Sequence, residues 1–170
     1  MFAKLIAFFL YYISFIAYYG FFLTLTTGHF YFYLTSFDKG NCYALQDKSN
    51  EEAYLLINVS GDSLDVSNNF RVVNLMGFIS FFFITLTMMY VHFKMSCSSY
   101  YSPRDCMALW MITLFLLWAC YYLTLLVMRL RHAGKVCSGD YLDNPRLFDR
   151  NVNSPYIHDN GLFLWYSMIA

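Results

Sequence analysis

Three stretches of the chain carry no Asp, Glu, Lys or Arg: Leu5 to Phe37, Val72 to Phe93 and Met107 to Met128. Each exceeds the roughly 18 residues needed to cross a hydrocarbon core about 30 Å thick. Backbone inside lipid has no water to bond, so segments of this kind must be helical. The pattern therefore predicts transmembrane helices over about 5–33, 72–93 and 107–128, and a fourth apolar run, "GLFLWYSMIA", begins at Gly161 and reads as the start of a further helix. The predicted fold class is all-α, an integral membrane four-helix bundle in one transmembrane domain spanning residues 1–170, with its fourth helix only begun.

Long polar connections follow the first and third spans, residues 38–71 and 129–160, and alternation of direction puts both on one side of the membrane. Around Gly61-Asp62, "AYLLINVSGDSLDV" holds two β-favouring pieces, consistent with a small hairpin in the first long loop. Pro145 and Pro155 among Asp and Asn residues predict turns in the second.

Polar residues within the spans are small, and their spacing suggests helix-packing seams. Ala3, Ala7, Ser14, Ala17, Thr24 and Gly28 share a stripe of the first helix; Asn74, Gly77, Ser80 and Thr87 share one of the second; Thr113, Cys120 and Thr124 lie along the third. Small residues let helix backbones approach in lipid, where no hydrophobic force acts between helices. Phe and Tyr dominate the other faces and suit lipid contact or an intramembrane interface.

Composition agrees with this reading. Of 170 residues, 59% are hydrophobic and 22% aromatic, and only 13% are charged, against about a quarter in soluble domains. Formal net charge is zero, so no field favours nucleic acid. Sidedness is balanced: the long loops hold most of the basic residues, which by the positive-inside rule favours a cytoplasmic location for them. Against that, they also hold every acid except Asp105, one cysteine each, and a glycosylation sequon at Asn58-Val59-Ser60. The latter set favours a cytoplasmic N-terminus with exposed loops, in the plasma membrane or endomembrane system; the mitochondrial inner membrane is the alternative.

Candidate chemistry is sparse. Cys42 and Cys137, one in each long loop, are a candidate disulfide on an oxidising side; Cys97 and Cys106 flank the short connection and are candidates for palmitoylation. His29, His92, His132 and His158 each fall near the end of an apolar run, three towards one side and one towards the other, which does not suit paired haem ligation. Cys42, His132, Cys137, Asp140 and His158 match no metal-ligand spacing. No cofactor or metal is expected, and no enzyme: hydrolytic and phosphate-binding motifs are missing, and the full spans offer no buried ionisable group for transport. After the third span, "MRLRHAGKVCSGDYL" reads as a collar: Arg129 and Arg131 snorkel to headgroups, Gly134 stops the helix, and Gly139 turns the chain. Arg129, Arg131 and Lys135 together make a candidate anionic-lipid site.

"GKVCSGDYL" followed by the apolar "GLFLWYSMIA" resembles multi-span membrane proteins of protists, and the layout of spans and loops is similar to the MARVEL-type tetraspanning organisation. That resemblance implies membrane apposition, vesicle shaping or complex assembly. The expected function is a structural or assembly role with membrane lipids and with other membrane subunits or copies of the chain as partners; an accessory subunit of an energy-transducing or ion-conducting complex is the alternative.

Overall fold

The computed structural model describes residues 2–36, 42–45, 63–97, 104–140 and 157–169. These form α1 (Phe2–Thr35), β1 (Tyr43–Leu45), β2 (Ser63–Asp65), α2 (Val66–Cys97), α3 (Arg104–Leu130), α4 (His132–Cys137) and α5 (His158–Ile169). The all-α expectation holds, and three of the helices are long and apolar enough to cross a membrane: Phe9–Thr35, Val66–His92 and Ala108–Leu130. The protein is a multi-pass membrane protein. The helix at the fourth apolar run starts at His158, three residues before Gly161, and covers only twelve residues.

α2 is the central helix, with α1 packed along one side and α3 along another. α5 enters between α3 and α1. In α1 the packed row runs through Phe15, Tyr19, Phe22, Thr26 and His29, alternating steps of four and three that keep one face inward. Phe70, Val73, Gly77, Ser80 and Thr87 mark the buried face of α2, and Leu114, Tyr121 and Leu125 that of α3. Burial is concentrated at the end where α1 finishes and α5 starts. Towards the other end α1 exposes Phe9 to Ile13 and α3 exposes Leu109 to Ile112, which in a bilayer is lipid-facing surface.

At the buried end a small collar ties the connections together. Asp65 Oδ1 accepts a hydrogen bond from the Asn68 N–H at 2.9 Å and so caps α2. β2, immediately before the cap, pairs antiparallel with β1 in the register Tyr43↔Asp65, Ala44↔Leu64 and Leu45↔Ser63. Among the described residues "SLD", one half of the expected hairpin, pairs with a strand some twenty residues earlier; the "AYLLINV" half lies outside the described residues. The Cys42 N–H donates to Ser67 Oγ at 2.7 Å, and Cys42 is joined to Cys137, 95 positions along the sequence, in a disulfide with Cα atoms 6.0 Å apart. Both cysteines are fully buried.

A crosslink across so long a loop limits the unfolded chain strongly. Replacing Cys42 and Cys137 together with Ala is expected to lower stability by about 2–4 kcal/mol, measured as the midpoint of SDS-induced or thermal unfolding in detergent. Reductant added to the folded protein is expected to leave that midpoint unchanged over the time in which it collapses the midpoint of pre-unfolded chain, because both sulfurs are shielded.

Candidate functional site

Where the four long elements converge, a row of polar side chains crosses the bundle. His29 from α1, Asn74 from α2 and Tyr121 from α3 are fully inaccessible, and Asn160 from α5 is nearly so. Asn74 Nδ2 donates to Asn160 Oδ1 at 2.8 Å. His29 Nδ1 lies 3.0 Å from Asn74 Oδ1, and Tyr121 Oη lies 2.9 Å from His29 Nε2. An amide oxygen only accepts, so the His29 proton sits on Nδ1 and Tyr121 donates to Nε2. One hydrogen-bonded chain, Tyr121 to His29 to Asn74 to Asn160, thus takes a member from every long helix of the bundle.

Aromatic rings enclose the imidazole. Phe81 stacks on it at 5.6 Å between centroids, while Tyr121 and Phe163 meet it edge-on at 5.3 and 4.8 Å. Gly77 closes the remaining side: a Cβ there would stand 2.7 Å from the ring. Gly28, one residue before His29, makes the same allowance for Phe163, whose ring would be 2.6 Å from an added Cβ. This corrects the expectation that the spans hold no ionisable side chain among their helices. α1 remains helical for six residues beyond His29, about 9 Å, so His29 lies inside the bundle rather than at its rim.

A second polar cluster lies at the collar. Arg129 is buried, and its guanidinium forks onto Asp140, Nη1 to Oδ2 and Nη2 to Oδ1, both at 2.8 Å. Nε donates to the Gly161 carbonyl at 2.9 Å, and the group lies over the Trp165 ring at 5.6 Å. The local chain path makes this pair. Arg131 has an extended ψ of 150° that ends α3 and starts α4. α4 then closes with Gly139 at φ 74°, where Gly139 N–H bonds to Val136 O and Asp140 N–H to Lys135 O, a Schellman turn that returns Asp140 to Arg129. Gly134 does not stop a helix as expected; it lies inside α4, where a Cβ would collide with the Met128 carbonyl oxygen. Arg129 is therefore not free to snorkel to headgroups, in contrast to the sequence expectation. Arg131 is exposed and Lys135 half-buried.

The remaining candidates are placed as follows. Gly77 and Ser80 lie on the packed face of α2, and Ser80 Oγ is the buried side-chain oxygen with no partner among the described residues. Ser14, Ala17 and Thr24 are exposed on α1, out of phase with its packed row. Thr113 and Cys120 are exposed on α3, and Thr124, half-buried, donates to Cys120 O at 2.7 Å. Asn58, Cys97 and Cys106 lie outside the residues whose side chains are described. His158 Nδ1 donates to the Ser138 carbonyl at 2.8 Å, and Cys42, Cys137 and Asp140 are engaged as above; among the described residues no group of three or more His, Cys, Asp or Glu is placed to hold a metal. Comparison with protein-family models, curated proteins and solved structures finds no match to this chain.

Chemically, this arrangement holds helices together: both imidazole nitrogens and both ends of the Asn74 amide are engaged. Asn74→Leu would leave Asn160 and His29 without their partner and is expected to destabilise the fold by about 1–3 kcal/mol, read as a lowered unfolding midpoint. Arg129→Met would remove the fork onto Asp140, whose side chain is 32% exposed, and is expected to cost about 1–3 kcal/mol. Ser80→Ala removes an unpartnered hydroxyl and is expected to be neutral or stabilising by up to about 1 kcal/mol. A drop in stability from that last change would show that Ser80 has a partner.

Proposed function

We propose that this multi-pass membrane protein has a structural role, assembling with copies of itself or with other membrane subunits and ordering the lipid around it. The observation that carries the reading is a division of surface. Polar groups of the interior close the chain's own bundle, whereas at the end away from the disulfide broad aromatic and aliphatic faces of α1 and α3 are exposed among the described residues. Ser14, Ala17 and Thr24 lie on the uncovered side of α1, where small side chains allow another helix to approach closely. The MARVEL-type resemblance of the layout points to the same kind of work. The Cys42–Cys137 bridge supports an oxidising compartment on the collar side, and with it the plasma membrane or endomembrane system.

Self-association in vesicles, followed by energy transfer between labelled chains as lipid is added, tests the reading. Ala17→Leu combined with Thr24→Leu is expected to weaken association about tenfold, equivalent to about 1.4 kcal/mol, and to leave the unfolding midpoint unchanged. A chain that stays monomeric at every lipid dilution and copurifies with no other membrane protein removes the assembly reading.

A further inference from the structure

A cavity of about 510 Å³ opens between α1 and α5 at the collar end, within the size range of small-ligand sites, roughly 300–1,000 Å³. Its polar lining comes from Thr35, Ser67 and Asn160, and its apolar lining from Phe32, Phe163 and Tyr166, among others. The polar group lies towards the collar end. Thr35 is the last residue of α1 and Ser67 the second of α2, at the ends of two candidate spans, and Asn160, the third residue of α5, reaches further in to Asn74. The aromatic group lies about one helical turn further in.

Asn160 is the side chain that gives the cavity a chemical preference. Its Oδ1 is occupied by Asn74 Nδ2, which leaves its own Nδ2 as a donor, with no acceptor for it among the described residues. The side chain is more than nine-tenths buried and still lines the cavity. Facing the cavity, that amide N–H can donate to an acceptor oxygen bound there. The charged side chain on the lining is an acid, Asp159, and among the described residues no cation lines it to counter a phosphate or carboxylate.

We infer that this cavity is a binding site for a diacyl glycerolipid with a neutral or zwitterionic headgroup, its ester carbonyl accepting from Asn160 Nδ2 and one acyl chain lying against Phe32, Phe163 and Tyr166. Ester carbonyls are acceptor-only groups, and in a bilayer they occupy the boundary between headgroup and hydrocarbon; the cavity runs from the span ends at Thr35 and Ser67 inward to Asn160. Because Asn160 is also the terminal member of the hydrogen-bonded chain through Asn74 and His29, the lipid completes that chain from outside. The site deepens the lipid-ordering part of the proposed function and makes it specific to one groove.

The test places the full chain in nanodiscs of phosphatidylcholine containing a trace of a phosphatidylcholine with a photoactivatable diazirine on its acyl chain, and maps the label by peptide mass spectrometry. Label is expected to concentrate on residues 31–36 and 157–166 relative to the lipid-facing segment 109–116. Leu162→Trp, which fills the cavity without touching the hydrogen-bonded chain, is expected to reduce that labelling about tenfold, the scale of one lost hydrogen bond with its packing; Thr35→Trp fills it from α1 and serves if the first variant fails to fold. Labelling that is uniform over all lipid-facing segments, or that survives both fillings, overturns the site. Competition by phosphatidylglycerol alone, and not by unlabelled phosphatidylcholine, overturns the headgroup assignment. Particle mass in the same discs reports self-assembly separately: a monomer labelled at the groove sinks self-assembly and keeps the site, and an oligomer without groove labelling does the reverse.

Discussion

A polar side chain inside a membrane bundle has no water to fall back on, and that constraint organises this structure. Asn74, in the middle helix, presents an oxygen and an amide nitrogen to the interior, and both must find partners there. They find them in different helices, His29 on α1 and Asn160 on α5, and the imidazole passes the requirement on to Tyr121 of α3. Apolar contacts between helices in lipid are nearly indifferent to small slides or rotations, since lipid tails offer much the same contact. Three hydrogen bonds in series are not indifferent. Sliding any one helix by a single residue, about 1.5 Å, would break at least one of them, so the chain from Tyr121 to Asn160 sets the mutual register of all four helices. The glycines follow from it: Gly77 makes room for the imidazole and Gly28 for the Phe163 ring beside it.

The spans were legible in the sequence because their signal is local and large, a lack of charge maintained over more than a bilayer's thickness. The junction was not, for a reason of phase. In α1 the small residues Ser14, Ala17 and Thr24 form one helical stripe and Phe15, Tyr19, Phe22, Thr26 and His29 form an adjacent one. Preference for small residues at membrane interfaces selects the first stripe, yet the intramolecular seam uses the second, because large rings interdigitate there around a polar centre. Asn74 carried the usable signal: it is the one asparagine in the three uncharged runs, and a lone amide in a span asks for an interior partner. His29 is the partner that its position near the end of an apolar run concealed.

Arg129 illustrates a second limit. An arginine directly after an apolar run has the sequence signature of a headgroup anchor, and nothing in its immediate neighbours contradicts that. Its true partner, Asp140, is eleven residues away and reaches it only because the chain bends at Arg131, runs one short helix and reverses at Gly139. Gly139 was readable as a turn; the destination of the turn was not, since it depends on Gly134 letting α4 press against the Met128 carbonyl. The same compact path holds Cys137 where Cys42 can meet it. Ion pair, Schellman turn and disulfide are thus consequences of one local fold.

Collar and junction lie at the same end, and this asymmetry bears on what the chain can do. At the collar end every long element is tied to another by a bond that specifies position: the disulfide, the Arg129 fork, the Asn74 amide. Towards the other end the ties among the described residues thin to contacts such as Trp110 Nε1 with Thr87 Oγ1 at 2.8 Å and Tyr11 Oη with His92 Nδ1 at 3.4 Å. α2 supports both outer helices there, and the faces of α1 and α3 that it does not cover are large, aromatic and poor in hydrogen-bonding demands. In the proposed assembly, specificity of contact comes from shape, from the small residues of α1, and from the groove at the clasped end that Asn160 lines.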